Sequence, residues 1–242
     1  MRLLLSGRLA PITSTVGFLE APLAGAVGAF VDWQRSIYEP KGISVTHRPV
    51  TGGLEEVLLS LLPLTSVLRR RYLFVPTESP WVAFFDNGHG GTDAFSVMST
   101  LAQLLRCRGM RVTAIPDTIE GEFKEAKGRH GGLVLEVYGP DQTHFLNYVR
   151  SISVVNDGGK WDFNQGGTPF PFEDLSRYKA RRVRDRFTFD MLESYLSELG
   201  VSPFKEEFYL PASGGAAQLV EKHGLTPPGM RKYTLAEAAG NS

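Results

Sequence analysis

Apolar residues recur along this chain with two periods, and the changes from one period to the other predict its elements. In "PLAGAVGAFVDWQRSI" (22–37), Leu23, Val27, Phe30 and Val31 fall on one stripe, which predicts a helix with Pro22 in its first turn. "GISVTHRPV" alternates and ends near Pro49, as a short strand at a sheet edge does. In "GGLEEVLLSLLPL", Leu54, Val57, Leu58 and Leu61 make a helical face, and Pro63 ends it. "RRRYLFVPT" (69–77) and "WVAFFDN" (81–87) are rich in β-branched and aromatic residues and predict an antiparallel pair. "GTDAFSVMSTLAQLLRCRG" carries Phe95, Met98, Leu101, Ala102 and Leu105 on one face, with Thr92 or Asp93 as its N-terminal cap.

Further on, "MRVTAIPDT" and "LVLEVYGP" predict strands, joined by the charged connection "IEGEFKEAKGRHGG". "YVRSISVVNDGGKWDFNQ" reads as a hairpin turning at "NDGG". After the loop "GGTPFPFED", the segment "RFTFDMLESYLSELG" predicts a helix capped by Thr188, with Leu192, Tyr195, Leu196 and Leu199 inward. From about residue 211 the chain is small and polar, and one short helix with frayed ends is expected there. Runs of consecutive strands with no linker between them predict a single α+β domain. Its sheet is expected to be mixed and mostly antiparallel, with flanking helices.

The chain has 242 residues, 42% hydrophobic, and Lys plus Arg equals Asp plus Glu at 26 each. The balance removes a whole-chain electrostatic case for nucleic acid, and no nucleic-acid partner is expected. A single cysteine, Cys107, excludes an intrachain disulfide framework. The opening "MRLLLSGRLAPITS" has too short an apolar run for a secretory signal, and no apolar stretch is long enough to span a membrane. The expectation is a cytoplasmic protein without membrane association.

"FFDNGHGGTDAF" (84–95) is the stretch that most resembles chemistry. Asp86, His89 and Asp93 sit among glycines where a strand gives way to a helix, a setting suited to acid–base work or to an anion. The same residues also make a good turn, since Asn and Gly accept positive φ and Thr or Asp caps a helix. The spacing matches no metal-ligand or phosphate-loop pattern, so neither metal nor cofactor is expected. Cys107, between two arginines near a helix end, reads as a small half-buried side chain.

Two segments suit recognition. "YKARRVRDRF" (178–187) holds five cations and one acid, among them Arg181, Arg182 and Arg184, with Tyr178 and Phe187 at its ends. The hairpin and loop before it contribute Trp161, Phe170, Phe172, Glu173 and Asp174, and a long loop rich in aromatics and acids often carries binding. The blocks "GGLEEVLLSLLPL…WVAFFDNGHGGTD…LAQLLRCRGMRV" and "NDGGKWDFNQGGTPFPFED…RRVRDRF" resemble those of uncharacterised bacterial proteins, some of which are similar to immunity proteins encoded beside secreted toxins. That resemblance spans roughly residues 20–205. It implies a cytosolic protein that neutralises a toxin by binding it, and carries over no catalytic residue. The alternative expectation is a hydrolase or phosphate-ligand enzyme centred on Asp86, His89 and Asp93.

Overall fold

The computed structural model describes residues 1–119, 128–144 and 146–240, so most of the charged connection after residue 119 lies outside the described residues. Eleven strands and five α-helices are defined among them. In chain order these are β1 (Thr15–Glu20), α1 (Leu23–Tyr38), β2 (Ser44–Val50), α2 (Leu54–Leu59), β3 (Leu64–Thr65), β4 (Arg71–Pro76), β5 (Trp81–Asp86), α3 (Ala94–Leu105), β6 (Gly109–Ile115), β7 (Gly132–Tyr138), β8 (Tyr148–Asp157), β9 (Lys160–Gly167), α4 (Phe189–Glu198), β10 (Ala217–His223), β11 (Lys232–Tyr233) and α5 (Leu235–Gly240).

Nine strands form one sheet in the order β2-β10-β4-β5-β1-β6-β7-β8-β9, and β3 pairs with β11 in a small second sheet. Every neighbouring pair in the large sheet is antiparallel. The fold is thus α+β, as the run of consecutive strands implies. The expected β4–β5 pair and β8–β9 hairpin both form, the latter turning on Gly158 and Gly159 at positive φ. β2 lies at an edge, where its Pro49 costs the ladder least.

Both faces of the sheet's middle are covered. On one face Leu19, Tyr72, Phe74, Phe84 and Val220 pack under α1 and α3 through Val27, Phe30, Met98 and Leu101. α3 approaches β1 closely because Gly17 has no side chain: a Cβ there would lie 3.0 Å from Ala94 Cβ and from Met98. On the other face Val16, Phe18, Leu73, Phe85, Leu135 and Ile152 meet α2, α4 and the segment after α4. Thr188 caps α4 by accepting a hydrogen bond from the Met191 amide, and Leu192, Tyr195 and Leu196 are buried.

Two parts of the sheet depart from expectation. β1 is a central strand, yet "TVGFLE" is buried on both faces and so lacks the alternation that marks a half-buried strand. The region beyond 211 is not simply a frayed tail. It supplies β10, hydrogen-bonded between β2 and β4, and Leu219 and Val220 are fully buried there. The one short helix expected there is α5.

Candidate partner-binding site

The turn after β5 spends its polar groups on the backbone. Asp86 is 1% exposed, and its two oxygens accept from the Gly88 amide at 2.8 Å and the Asp93 amide at 2.9 Å. Asn87 accepts from the Arg70 and Arg71 amides and donates to the Pro63 carbonyl. Thr92 accepts from the Asp86 amide and donates to the Ile12 carbonyl. Asp93 occupies the cap position of α3 without a side-chain capping bond, and its own amide donates to Asp86. His89 stacks on Tyr233 with ring centroids 5.0 Å apart.

Burial pushes the Asp86 carboxyl up to about 6, against the pull of Arg69 and the two amides. No hydrogen bond joins the side chains of Asp86, His89 and Asp93 to one another among the described residues. Nor, among those residues, is any group of three or more His, Cys, Asp or Glu side chains placed to hold a metal ion. Cys107 is half-buried, and burial followed by Glu20 pushes its thiol up to about 11, which disfavours the nucleophilic thiolate.

The loop after β9 is organised from inside. Arg150 stands on β8 in the inward register of Ile152 and Val154, and its side chain is fully buried. Glu173 turns in to meet it: Arg150 Nε lies 2.8 Å from Glu173 Oε1, and Nη2 lies 2.6 Å from Oε2. The remaining capacity of the pair is also used. Glu173 Oε1 accepts from the Phe170 amide, Oε2 accepts from the Tyr178 hydroxyl, and Arg150 Nη1 donates to the Gly166 and Gly167 carbonyls. A buried ion pair survives only when its hydrogen bonds are this complete. Burial, then the bonds to Tyr195 and Glu173, raise the Tyr178 hydroxyl far above its ordinary range. Aromatic contacts close the loop: Phe170 stacks on Phe172 at 5.1 Å, Phe172 packs on Tyr195, and Phe163 packs on Tyr178.

This geometry divides the residues expected to bind. Glu173 is a core residue and not a recognition residue. Asp174 is exposed but bonds the amides of Ser176 and Arg177 and the Ser176 hydroxyl, which holds its carboxyl below the ordinary value. Trp161, Phe170 and Phe172 are half-buried against the core. Tyr178 and Phe187 are buried, so neither adds a ring to the surface. Arg181, Arg182 and Arg184 are exposed, as are Arg177 and Lys179 before them. None of these five cations makes an ion pair among the described residues. Two short 3-10 turns, Arg177–Lys179 and Val183–Asp185, carry Arg177, Lys179 and Arg184, with Arg181 and Arg182 between them, and Arg186 ties the segment down by donating to the Ala180 carbonyl.

A second group was invisible in the linear pattern. Lys222 on β10 is 4% exposed, donates to the Tyr72 hydroxyl at 2.6 Å and lies over the Tyr38 ring at 3.6 Å. It forms no ion pair with a carboxylate among the described residues. Its signal in the sequence is a lysine two positions after Val220, in the inward register of a strand that read as tail.

Comparison of the chain with family models, with curated proteins and with solved structures finds no match.

Proposed function

We propose that the chain is a protein-binding module that engages an acidic surface of its partner through the loop 168–187, with Arg181, Arg182 and Arg184 at the centre of the contact. The observation that carries this reading is the fully buried Arg150–Glu173 pair, which clamps a loop whose outer side presents five cations that form no ion pair among the described residues. A loop fixed before binding loses little entropy on docking. Unpaired surface arginines steer an acidic partner and recur among the residues that dominate interface energies. The resemblance to immunity proteins supplies the partner class, a secreted toxin domain encoded by a neighbouring gene.

A protein partner is favoured over nucleic acid on two grounds. The chain as a whole is electrically neutral. The two aromatic residues flanking the cationic run, Tyr178 and Phe187, are buried and give no platform on which bases could stack. An enzyme centred on Asp86, His89 and Asp93 is not favoured, because the first is spent on amides and the second stacks on Tyr233. The test is isothermal titration against the neighbour-encoded protein with wild type and with Arg181→Glu, Arg182→Glu and Arg184→Glu combined. Loss of binding in the triple variant with unchanged unfolding supports the reading. Equal binding by both proteins overturns it.

A further inference from the structure

On the sheet face packed by α1 and α3, the helices reach only as far as Tyr138 and Tyr148, and the rest of β7, β8 and β9 lies beyond them. A cavity of about 680 Å³ lies on this uncovered part, a size within the roughly 300–1,000 Å³ of small-molecule sites. Val134, Glu136, Tyr148, Ser151, Ser153 and Gly166 line it. We propose that this cavity binds a neutral, hydroxyl-rich ligand of the saccharide class.

Three observations lead there. First, the polar groups share one face and meet across the strands. Glu136 lies on the Tyr138 side of β7, Ser151 on β8 is its direct partner, and Gly166 on β9 is the direct partner of Ser151. Val134 and Ser153 form the next row. Direct partners in an antiparallel pair hold their Cβ atoms about 4.5–5.5 Å apart, so the carboxylate and both hydroxyls border one space. Gly166 keeps that space open, since a Cβ there would lie 3.2 Å from Ser151 Oγ. Second, the site is electrically compensated. Glu136 Oε2 accepts from the Tyr138 hydroxyl at 2.6 Å and from Arg111 Nη1 at 3.2 Å, and Oε1 accepts from the Tyr148 hydroxyl at 3.3 Å. An ion-paired carboxylate attracts a cation weakly, yet Oε1 keeps a lone pair for a ligand hydroxyl. No lysine or arginine among the described residues lines the cavity, which disfavours an anion. Third, the hydroxyls are available. Neither Ser151 nor Ser153 spends its side chain on a hydrogen bond among the described residues, and the aliphatic Val134 and the Tyr148 ring stand beside them. Hydroxyls set among apolar carbon suit a sugar, which presents both hydroxyls and C–H surface. The wall at Tyr148 is fixed in advance. The buried Asn147 accepts from the Ser99 hydroxyl at 2.6 Å and donates to the Ser99 and Gly139 carbonyls, which ties the chain entering β8 to α3.

The test is calorimetric titration of the intact protein with glucose, galactose, mannose and N-acetylglucosamine, beside inorganic phosphate as an anion and tetramethylammonium as a cation. The expected result is saturable binding of at least one sugar at millimolar concentration and of neither ion. Gly166 is not at positive φ, so Gly166→Leu places a side chain in the cavity without backbone strain. It is expected to abolish sugar binding while the unfolding midpoint stays unchanged. Ser151→Ala is expected to weaken binding by roughly fivefold, the worth of one hydrogen bond, and serves if Gly166→Leu fails to fold. The triple charge reversal at Arg181, Arg182 and Arg184 is expected to bind sugar as wild type does, because the loop 168–187 is clamped to the other face of the sheet through Arg150. That variant separates the cavity from the partner surface. Absence of saturable binding by all four sugars, undiminished binding by folded Gly166→Leu or by Ser151→Ala, or saturable binding of either ion in place of the sugars overturns the proposal.

Discussion

Arg150 and Glu173, 23 residues apart in sequence, form a two-point ion pair from which solvent is fully excluded, at 2.8 Å and 2.6 Å. The pair joins the inward face of β8 to the loop after β9, so the position of every exposed arginine in 177–184 depends on it. Removing one member strands a buried charge. Glu173→Ala is therefore expected to lower unfolding free energy by about 3–5 kcal/mol. Replacing both, as Arg150→Met with Glu173→Leu, is expected to recover part of that loss, the Tyr178 hydroxyl and Phe170 amide still lacking their acceptor. Urea denaturation of the three proteins checks the order.

Lys222 sets an alkaline dependence of stability. The groups that face it are Tyr38 and Tyr72, with Arg70, Lys41 and Asp86 nearby, and burial with the repulsion of Arg70 lowers its pKa from 10.5 to about 7. The folded pKa lies below the unfolded one, so this lysine's contribution is full above pH 10.5 and is lost as pH falls to about 7. Lys222→Met is expected to raise stability at neutral pH by roughly 3 kcal/mol, with the gain over wild type shrinking as pH rises toward 10. Denaturant midpoints across that range measure it, and a pH-independent difference would contradict the assignment.

Asp86 acts in the opposite sense. Its folded pKa is raised from 3.8 to about 6, chiefly by burial, so its relative stabilisation is complete below pH 3.8 and lost as pH rises through 6. Its oxygens nevertheless hold two amides at the start of α3. Asp86→Ala is expected to cost about 1–3 kcal/mol at neutral pH by orphaning both donors, and to increase amide exchange at Gly88 and Asp93.

Gly17 controls the seating of α3 on β1. An added Cβ meets Ala94 and Met98 at 3.0 Å, so Gly17→Val is expected to cost about 1–3 kcal/mol through overpacking. Pairing it with Met98→Ala, which opens space at the same contact, is expected to be less damaging than the sum of the two substitutions, and a double-mutant cycle reads the coupling.

Much of the architecture is legible in the residues alone where one face is buried and the other wet. α1, α3, α4 and the β8–β9 hairpin show the periods that burial on one side imposes, whereas the β4–β5 pair, buried on both faces, is legible from its β-branched and aromatic residues. β1 escapes because both its faces are covered, and the short run of Val16, Phe18 and Leu19 beside a helix reads as part of that helix's neighbourhood. β10 escapes because "AQLVEKH" is short, is flanked by glycines and owes its strand state to β2 and β4, which lie far off in sequence. The site divides the same way. Exposure of Arg181, Arg182 and Arg184 follows from a charge run in a loop. The inward turn of Glu173 does not, because its partner is set by tertiary register. One clue was available: Arg150 alternates with Ile152 and Val154, and an arginine in the apolar register of a strand needs a buried acid somewhere.

The measurement that bears most directly on the binding account is the affinity for the neighbour-encoded protein at two salt concentrations, with wild type and the triple charge reversal at Arg181, Arg182 and Arg184. The account predicts a complex with wild type that weakens as salt rises, and at least a tenfold loss, about 1.4 kcal/mol, in the variant with no change in unfolding midpoint. A complex that forms equally well with the reversed charges, or no complex with wild type at low salt, would contradict it.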